Sequence, residues 1–344
     1  MTLNRQIHLI SRPDPATGPT AANFALRASA VAQPGPGEML LQTLYLSLDP
    51  YMRARMYVGA NYAACAALNA PMVGATVSRV MASQHAGFAV GEIVESSHGW
   101  QEYALSDGTG LRRIDPALAP VSTALGVLGM PGQTGYTALT RHGRPQPGET
   151  VLVSAASGAV GTVVGQTARL KGARAVGIAG GAAKCAYLTG ELGFHAAVDH
   201  RAPDLAARLA AACPDGVDVY YDNVGGPLFG AILPLLNAQA RVLVCGTISV
   251  DRDRQGGETG PGTMQQLLSA TLVKRLSIKG FIFSDPDLMA LEPEFRATVG
   301  SWVRDGQLRY REDIVDGIEA APDRFLGLFS GANFGKLLVR VHPE

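Results

Sequence analysis

The sequence predicts an α/β protein in which a doubly wound parallel sheet is joined to a second, β-rich domain. Three observations predict it. Residues 151–172 read VLVSAASGAVGTVVGQTARLKG, a Val-rich run, a cluster of small residues and then apolar positions at helical spacing. Strand-like and helix-like runs alternate downstream of that stretch, and parallel strands need such crossovers. The first 125 or so residues instead carry short apolar runs between Pro/Gly clusters, with little that resembles a long helix. A length of 344 residues agrees with about two domains.

Composition narrows the function classes. An apolar fraction of 47% and a charged fraction of 17% provide for a large core rather than a disordered chain. Lys plus Arg number 29 and Asp plus Glu number 29, so no net field draws nucleic acid or an anionic membrane surface. The opening MTLNRQIHLISRP lacks the apolar core of a signal peptide, and no apolar run reaches about 18 residues. Cys65, Cys185, Cys213 and Cys245 form no C-x-x-C pair. That spacing argues against a disulfide framework or a cysteine-rich zinc site and for the cytoplasm.

Taken in order, residues 39–48, 72–81, 89–94 and 100–105 read as short strands of a partly open barrel. Between them LDPYMRARM, residues 48–56, reads as an irregular loop, with Tyr51, Tyr57 and Tyr62 following one another. Met130-Pro131-Gly132 reads as a break, after which residues 134–139 restart a helical pattern. Strands are expected at the Val-rich start of the 151–172 stretch and at 175–179, 196–198, 217–221, 240–245 and 276–283. Helices are expected between them at 161–170, 184–192, 205–213 and 228–236. Residues 249–264, rich in Gly and Asp, read as a loop beside the cleft, and residues 312–341 as a helix followed by the strand LLVRV.

The first strand, turn and helix point to a dinucleotide. Free N–H groups and the positive dipole end at such a turn favour a phosphate, and Gly158 and Gly161 let the backbone approach it. The pattern is A-x-x-G-x-x-G, with Ala155 where the fingerprint has its first glycine. The second strand ends at Ala179-Gly180-Gly181, and no carboxylate lies between Val176 and Lys184 to accept from ribose hydroxyls. Lys184, His200 and Arg201 are cations suited to a 2′-phosphate, so the expected cofactor is NADP(H) rather than NAD(H).

The segments LYLSLDPYMRARM, GVLGMPGQTGYTAL, SAASGAVGTVVGQTARLKG, AGGAAKC, YYDNVGG, VCGTIS, KGFIF and GANFGK follow in this order and are spread over almost the whole chain. With them the chain resembles the zinc-independent medium-chain dehydrogenase/reductases. Within these it is similar to the leukotriene B4 dehydrogenase, prostaglandin reductase and plant double-bond reductase group, and particularly to the bacterial NADPH-dependent curcumin reductase type. The resemblance implies a GroES-like catalytic domain from residues 1–128 and 305–344, a Rossmann domain from residues 129–304, and a homodimer. It implies reduction of the C=C bond of α,β-unsaturated ketones or aldehydes, with a small-molecule enone as substrate. It places Gly158, Ala159, Val160 and Gly161 at the pyrophosphate and Lys184 at the 2′-phosphate. Asn223, Cys245, Gly246, Thr247, Ile248, Ser249, Phe281, Ile282, Phe283 and Asn333 would line the cofactor, and Tyr51 the active-site cleft.

Two departures stand out. His200 replaces a tyrosine found in many relatives, and Val250-Asp251 stands where many have Tyr-Asn. The second departure leaves Tyr51 and Tyr62 as the candidate proton donors. The Cys/His set of zinc alcohol dehydrogenases is not present in the sequence, and no metal is expected. Glu312 and Asp313 with Arg304, Arg309 and Arg311 read as solvated surface. His8, His85, His98, His142, His195 and His342 read as surface or capping residues, and Cys245 has no partner base that would make it a nucleophile. An NADPH:quinone oxidoreductase would share the same cofactor signals, as would a non-catalytic NADP-binding protein.

Overall fold

A computed structural model of the chain describes residues 2–59, 62–249 and 264–344. The chain divides into two compact units, Met1–Gly126 with Glu312–Glu344, and Val127–Arg311.

The first unit is built from short strands. β1 (Leu3–Leu9), β2 (Phe24–Ala30), β3 (Met39–Ser47), a helical turn α1 (Tyr51–Ala54), β4 (Ala70–Pro71), β5 (Thr76–Ser83), β6 (Ile93–Ser96), β7 (Tyr103–Ser106) and β8 (Arg112–Ile114) come from its N-terminal part. β1 lies between β2 and β4 in a three-stranded antiparallel sheet. The larger sheet runs β15-β16-β3-β5-β6-β8, with β7 also on β3, where β15 (Glu312–Asp316) and β16 (Lys336–Arg340) are supplied by the C-terminal part. β16 pairs antiparallel with β3, so the chain's last strand is stitched into its first large sheet. Phe24 stacks on Trp100 with ring centroids 5.4 Å apart, and Phe325 meets Trp100 edge-on at 5.6 Å. All three rings are buried in one apolar cluster.

In the second unit, α2 (Met130–Ala138), β9 (Thr150–Val153), α3 (Ala159–Leu170), β10 (Arg174–Ala179), α4 (Ala182–Gly190), β11 (Ala196–Asp199), α5 (Leu205–Ala212), β12 (Val217–Asp222), α6 (Pro227–Ile232), β13 (Leu236–Val244), α7 (Met264–Lys274), β14 (Ser277–Gly280), α8 (Pro286–Met289) and α9 (Glu292–Arg304) follow one another. α10 (Ala321–Leu328) belongs to the first unit. The six strands of the second unit are all parallel, in the order β11-β10-β9-β12-β13-β14. This is the doubly wound Rossmann arrangement, and the direction of winding reverses between β9 and β12, where a dinucleotide crosses such a sheet.

Three local expectations are corrected. LDPYMRARM is not wholly irregular: Tyr51–Ala54 is a helical turn, entered through Pro50, whose φ of −57° already suits a helix. Met130-Pro131-Gly132 is not a break but the first turn of α2, where the missing proline N–H would have had no intrahelical partner. Residues 312–316 form the strand β15, not a helix; the Glu-Asp pair conceals its alternation. Residues 305–311 stay with the second unit because Gln166 of α3 brackets Arg309. Its Nε2 donates to the Arg309 carbonyl, and its Oε1 accepts the Arg309 N–H, each at 2.8 Å.

Candidate active site

β9 is buried throughout and ends in the turn Ser154 to Gly158. The Ala156 N–H donates to the Ile178 carbonyl of β10 at 2.9 Å, and the Gly158 N–H closes on the Ala155 carbonyl at 2.9 Å. Ala155 takes a left-handed φ of +47°, the conformation for which the fingerprint uses glycine. Gly158 caps α3 in an extended conformation, and no side chain caps the helix. The first helix-type bond comes from the Thr162 N–H, so the amides of Ala159, Val160 and Gly161 precede it, as at any helix start. A Cβ on Gly161 would lie 2.5 Å from the Ala155 carbonyl oxygen, so this turn closes only around glycine. The result is a partly exposed, positive helix terminus at the carboxyl edge of the sheet, a fit for a pyrophosphate.

The second strand's end carries the charge pattern that distinguishes nicotinamides. A Cβ on Gly180 would lie 2.9 Å from His200 Nε2 and 3.1 Å from Arg201 Nε, so both side chains lie over this backbone. The His200 pKa is lowered, first by burial and then by Arg201, with Lys184 acting in the same direction and Asp199 opposing. Lys184, His200 and Arg201 therefore converge on one place, and their mutual repulsion is what a phosphate would relieve. Asp199 is a further group at this place, not marked by the local sequence. Its carboxylate accepts the Gly181 and Arg201 N–H groups, both at 2.9 Å, and these bonds pull its pKa below the usual range. The acid lies on the third strand, outside the window searched in the sequence, and its backbone bonds commit it to shaping the loop.

Beyond the winding reversal, Asn223 donates from Nδ2 to the Ser154 carbonyl at 2.8 Å, tying the end of β12 to the end of β9. Cys245, Gly246, Thr247, Ile248 and Ser249 leave β13, and the Ser249 N–H and Oγ both donate to the Val224 carbonyl. Desolvation pushes the Cys245 thiol up to about 12, so it is no thiolate nucleophile. β14 ends at Gly280, three residues short of the expected strand end, so Phe281, Ile282 and Phe283 follow the strand. Phe281 is buried, its ring 5.9 Å from that of Tyr221, whereas Phe283 is 38% exposed. Val250-Asp251 and the rest of the expected loop lie outside the described residues, apart from Ser249 and Met264.

Tyr51, Tyr62 and Asn333 belong to the first unit. Tyr51 opens α1, and its phenol is held well above the ordinary tyrosine value, first by burial, then by Asp49, with Tyr62 adding to the effect. The two tyrosines are thus brought within electrostatic reach of each other. Arg55 hydrogen-bonds the Tyr51 phenol and offsets part of the shift, a partner that sequence reading did not single out. Just before Tyr51, Lys336 Nζ meets Asp49 Oδ1 at 2.7 Å and the Leu48 carbonyl at 3.1 Å, with both side chains buried. Tyr62 is 57% exposed, and Asn333 Nδ2 donates to the Gly335 carbonyl at 2.8 Å. Glu312, expected on a solvated surface, is instead half-buried, accepts from Ser122 Oγ at 2.8 Å, and has a raised pKa because of that burial. Among the described residues no group of three or more His, Cys, Asp or Glu is placed to hold a metal ion.

Known proteins carry the same two parts. A family model described as the N-terminal domain of oxidoreductase matches residues 5–114, and one described as zinc-binding dehydrogenase matches residues 159–299. The NADPH-dependent curcumin reductase of Escherichia coli (strain K12) is 46% identical over 338 residues, 98% of this chain and 97% of that protein. The NADP(+)-dependent 2-alkenal reductase of Nicotiana tabacum is 38% identical over 313 residues, 90% of this chain and 89% of that protein. The crystal structure of CurA from Vibrio vulnificus in complex with NADPH superposes with a TM-score of 0.93 at 47% identity, covering 99% of this chain and 100% of that one. A parallel dinucleotide-type sheet joined to a β-rich unit, matched end to end at this identity, defines a medium-chain dehydrogenase/reductase. Within that class the chain belongs to the family of the curcumin, 2-alkenal and prostaglandin reductases.

Proposed function

We propose that this chain is an NADPH-dependent reductase of the C=C bond of α,β-unsaturated ketones or aldehydes. The observation that carries the reading is the 46% identity over 98% of the chain to an NADPH-dependent curcumin reductase. The uncapped α3 terminus and the Lys184, His200 and Arg201 cluster support it, since they suit the pyrophosphate and the 2′-phosphate of the cofactor. In this reading Val127–Arg311 is the cofactor domain and the unit from both termini is the GroES-like catalytic domain.

When bound, NADPH would supply a hydride to the β-carbon of the enone. The amides of Ala159, Val160 and Gly161, in the turn that Gly158 closes, would hold the pyrophosphate, and Lys184 and His200 with Arg201 the 2′-phosphate. Asn223, the 245–249 segment, Phe281, Ile282, Phe283 and Asn333 would wall and orient the rest. Charge then gathers on the carbonyl oxygen of the substrate. Tyr51, kept protonated by burial, can donate a hydrogen bond there, with Tyr62 beside it, and a proton completes the α-carbon.

We also infer a homodimer acting in the cytoplasm. β14 is an edge strand with every residue exposed, and α7 presents Met264, Leu268 and Leu272 to solvent at one-turn intervals. All four cysteines are free thiols, as a reducing compartment would leave them. Sedimentation velocity checks the dimer: a single monomeric species at micromolar concentration would remove it.

The function is tested by following NADPH consumption with enals, enones, curcumin-like diketones and quinones, with product analysis. Turnover giving the saturated ketone or aldehyde is expected. Reduction confined to quinones, or to the C=O bond, would overturn the reading.

A further inference from the structure

Asp222 closes β12 and is 2% exposed. One of its oxygens, Oδ1, accepts from Tyr220 Oη at 2.8 Å, the Val224 N–H at 2.9 Å, and the Gly225 N–H and Ser154 Oγ at 3.0 Å. The backbone carbonyl of Asp222 accepts the N–H groups of Cys245 at 2.8 Å and Gly246 at 3.1 Å. Ser154, fully buried after β9, accepts the Asn223 N–H on the same Oγ at 2.7 Å. The ends of β9, β12 and β13 are therefore closed into one hydrogen-bonded block. The donors Val224 and Gly225 lie beyond the strand, where the ladder no longer sets the backbone. A buried carboxylate is costly unless its donors are in place, so the block has one favoured geometry.

The block straddles the winding reversal. β9, β10 and β11 lie on one side of it and β12, β13 and β14 on the other. A dinucleotide lying across the carboxyl edge puts its adenosine half over the first group and its nicotinamide half over the second. We propose that Asp222 and Ser154 are positioning residues that fix the wall under the nicotinamide half relative to the pyrophosphate turn, without touching the reacting atoms. The proposal rests on the NADPH reading above. It assigns the adenosine half no dependence on the clamp, because the loops there are held separately, Asp199 accepting the Gly181 and Arg201 N–H groups.

The test compares two probes on the full chain, 2′,5′-ADP for the adenosine half and NADPH for the whole cofactor. Ser154→Ala leaves the Asn223 N–H without its acceptor, and Asp222→Asn keeps the shape while removing the charge that strengthens the bonds. For both variants the Kd of 2′,5′-ADP is expected to stay within about twofold, while that of NADPH rises about tenfold, the effect of leaving one buried donor unpaired. A larger primary isotope effect from 4-deuterated NADPH is expected as hydride transfer slows. A merely structural role would weaken both ligands by the same factor, and that result, or no change in either, would overturn the clamp. Failure of the unsubstituted protein to bind NADPH would remove the cofactor reading itself, a different outcome from equal weakening in the variants.

Discussion

At the scale of single residues, charge decides which nicotinamide fits. His200 and Arg201 lie over Gly180, with Lys184 in electrostatic reach of His200, an arrangement that a bound phosphate would favour further. Lys184→Ala is expected to raise the NADPH KM about tenfold or more and leave that for NADH within about twofold, because only the 2′-phosphate loses a partner. Steady-state rates with both cofactors check this. The phenols act at the other end of the reaction. Tyr51→Phe is expected to lower kcat at least tenfold with a smaller change in KM, and Tyr62→Phe to do less, because Tyr62 is the more exposed. Turnover within about twofold of the unsubstituted enzyme for both variants would remove the tyrosines as donors.

At the scale of elements, α1 depends on a strand far away in sequence. Lys336 of β16 reaches Asp49 and the Leu48 carbonyl, and so fixes the entry to the turn that carries Tyr51. Lys336→Met strands a buried carboxylate, and a loss of about 3–5 kcal/mol is expected. Urea unfolding of the variant measures it as a lowered midpoint. The same contact marks what local reading could not find. KLLVR reads as a strand from its own pattern, but its lysine points inward because the Asp49 carboxylate, just beyond the end of β3, awaits it. Strong local patterns were legible: β10, β11 and β12 lie within a residue or so of their expected bounds, and β9 is the Val-rich run at the start of the 151–172 stretch. Elements whose signal is polar or broken by proline were not. β15 begins with Glu-Asp, and α2 has proline in its first turn.

At the scale of the whole molecule, the balance of protons favours neutral pH. His98, His142, His200 and His8 all have pKa values lowered below 6.5, with burial the first cause in each. Below 6.5 the unfolded chain takes up protons that the folded chain refuses, so stability present above that pH is lost as pH falls through the unfolded value. Glu312 works the other way, since its raised pKa adds stability at low pH that is lost as pH rises. Four groups against one predict a Tm that falls between pH 7 and pH 5. His98→Asn is expected to flatten that fall, and thermal scans across the range test it. An unchanged Tm down to pH 5 would show that burial of these rings carries no proton linkage.

The sequence by itself determined the alternating sheet, the glycine turn at 158–161, and the cationic end of the second strand. Each is a local pattern, written in residues that touch their neighbours along the chain. Tertiary structure decided which groups act together. It brought Asp199 from the third strand to Gly181, stacked Phe24, Trp100 and Phe325, and buried Lys336 against Asp49. It also gathered Ser154, Asp222 and Gly246 from three strand ends into one block. These pairings join residues tens to hundreds of positions apart, and a window along the chain cannot see them. Hydrogen bonds and ion pairs act over about 3 Å of space, so only the packed fold sets those partners.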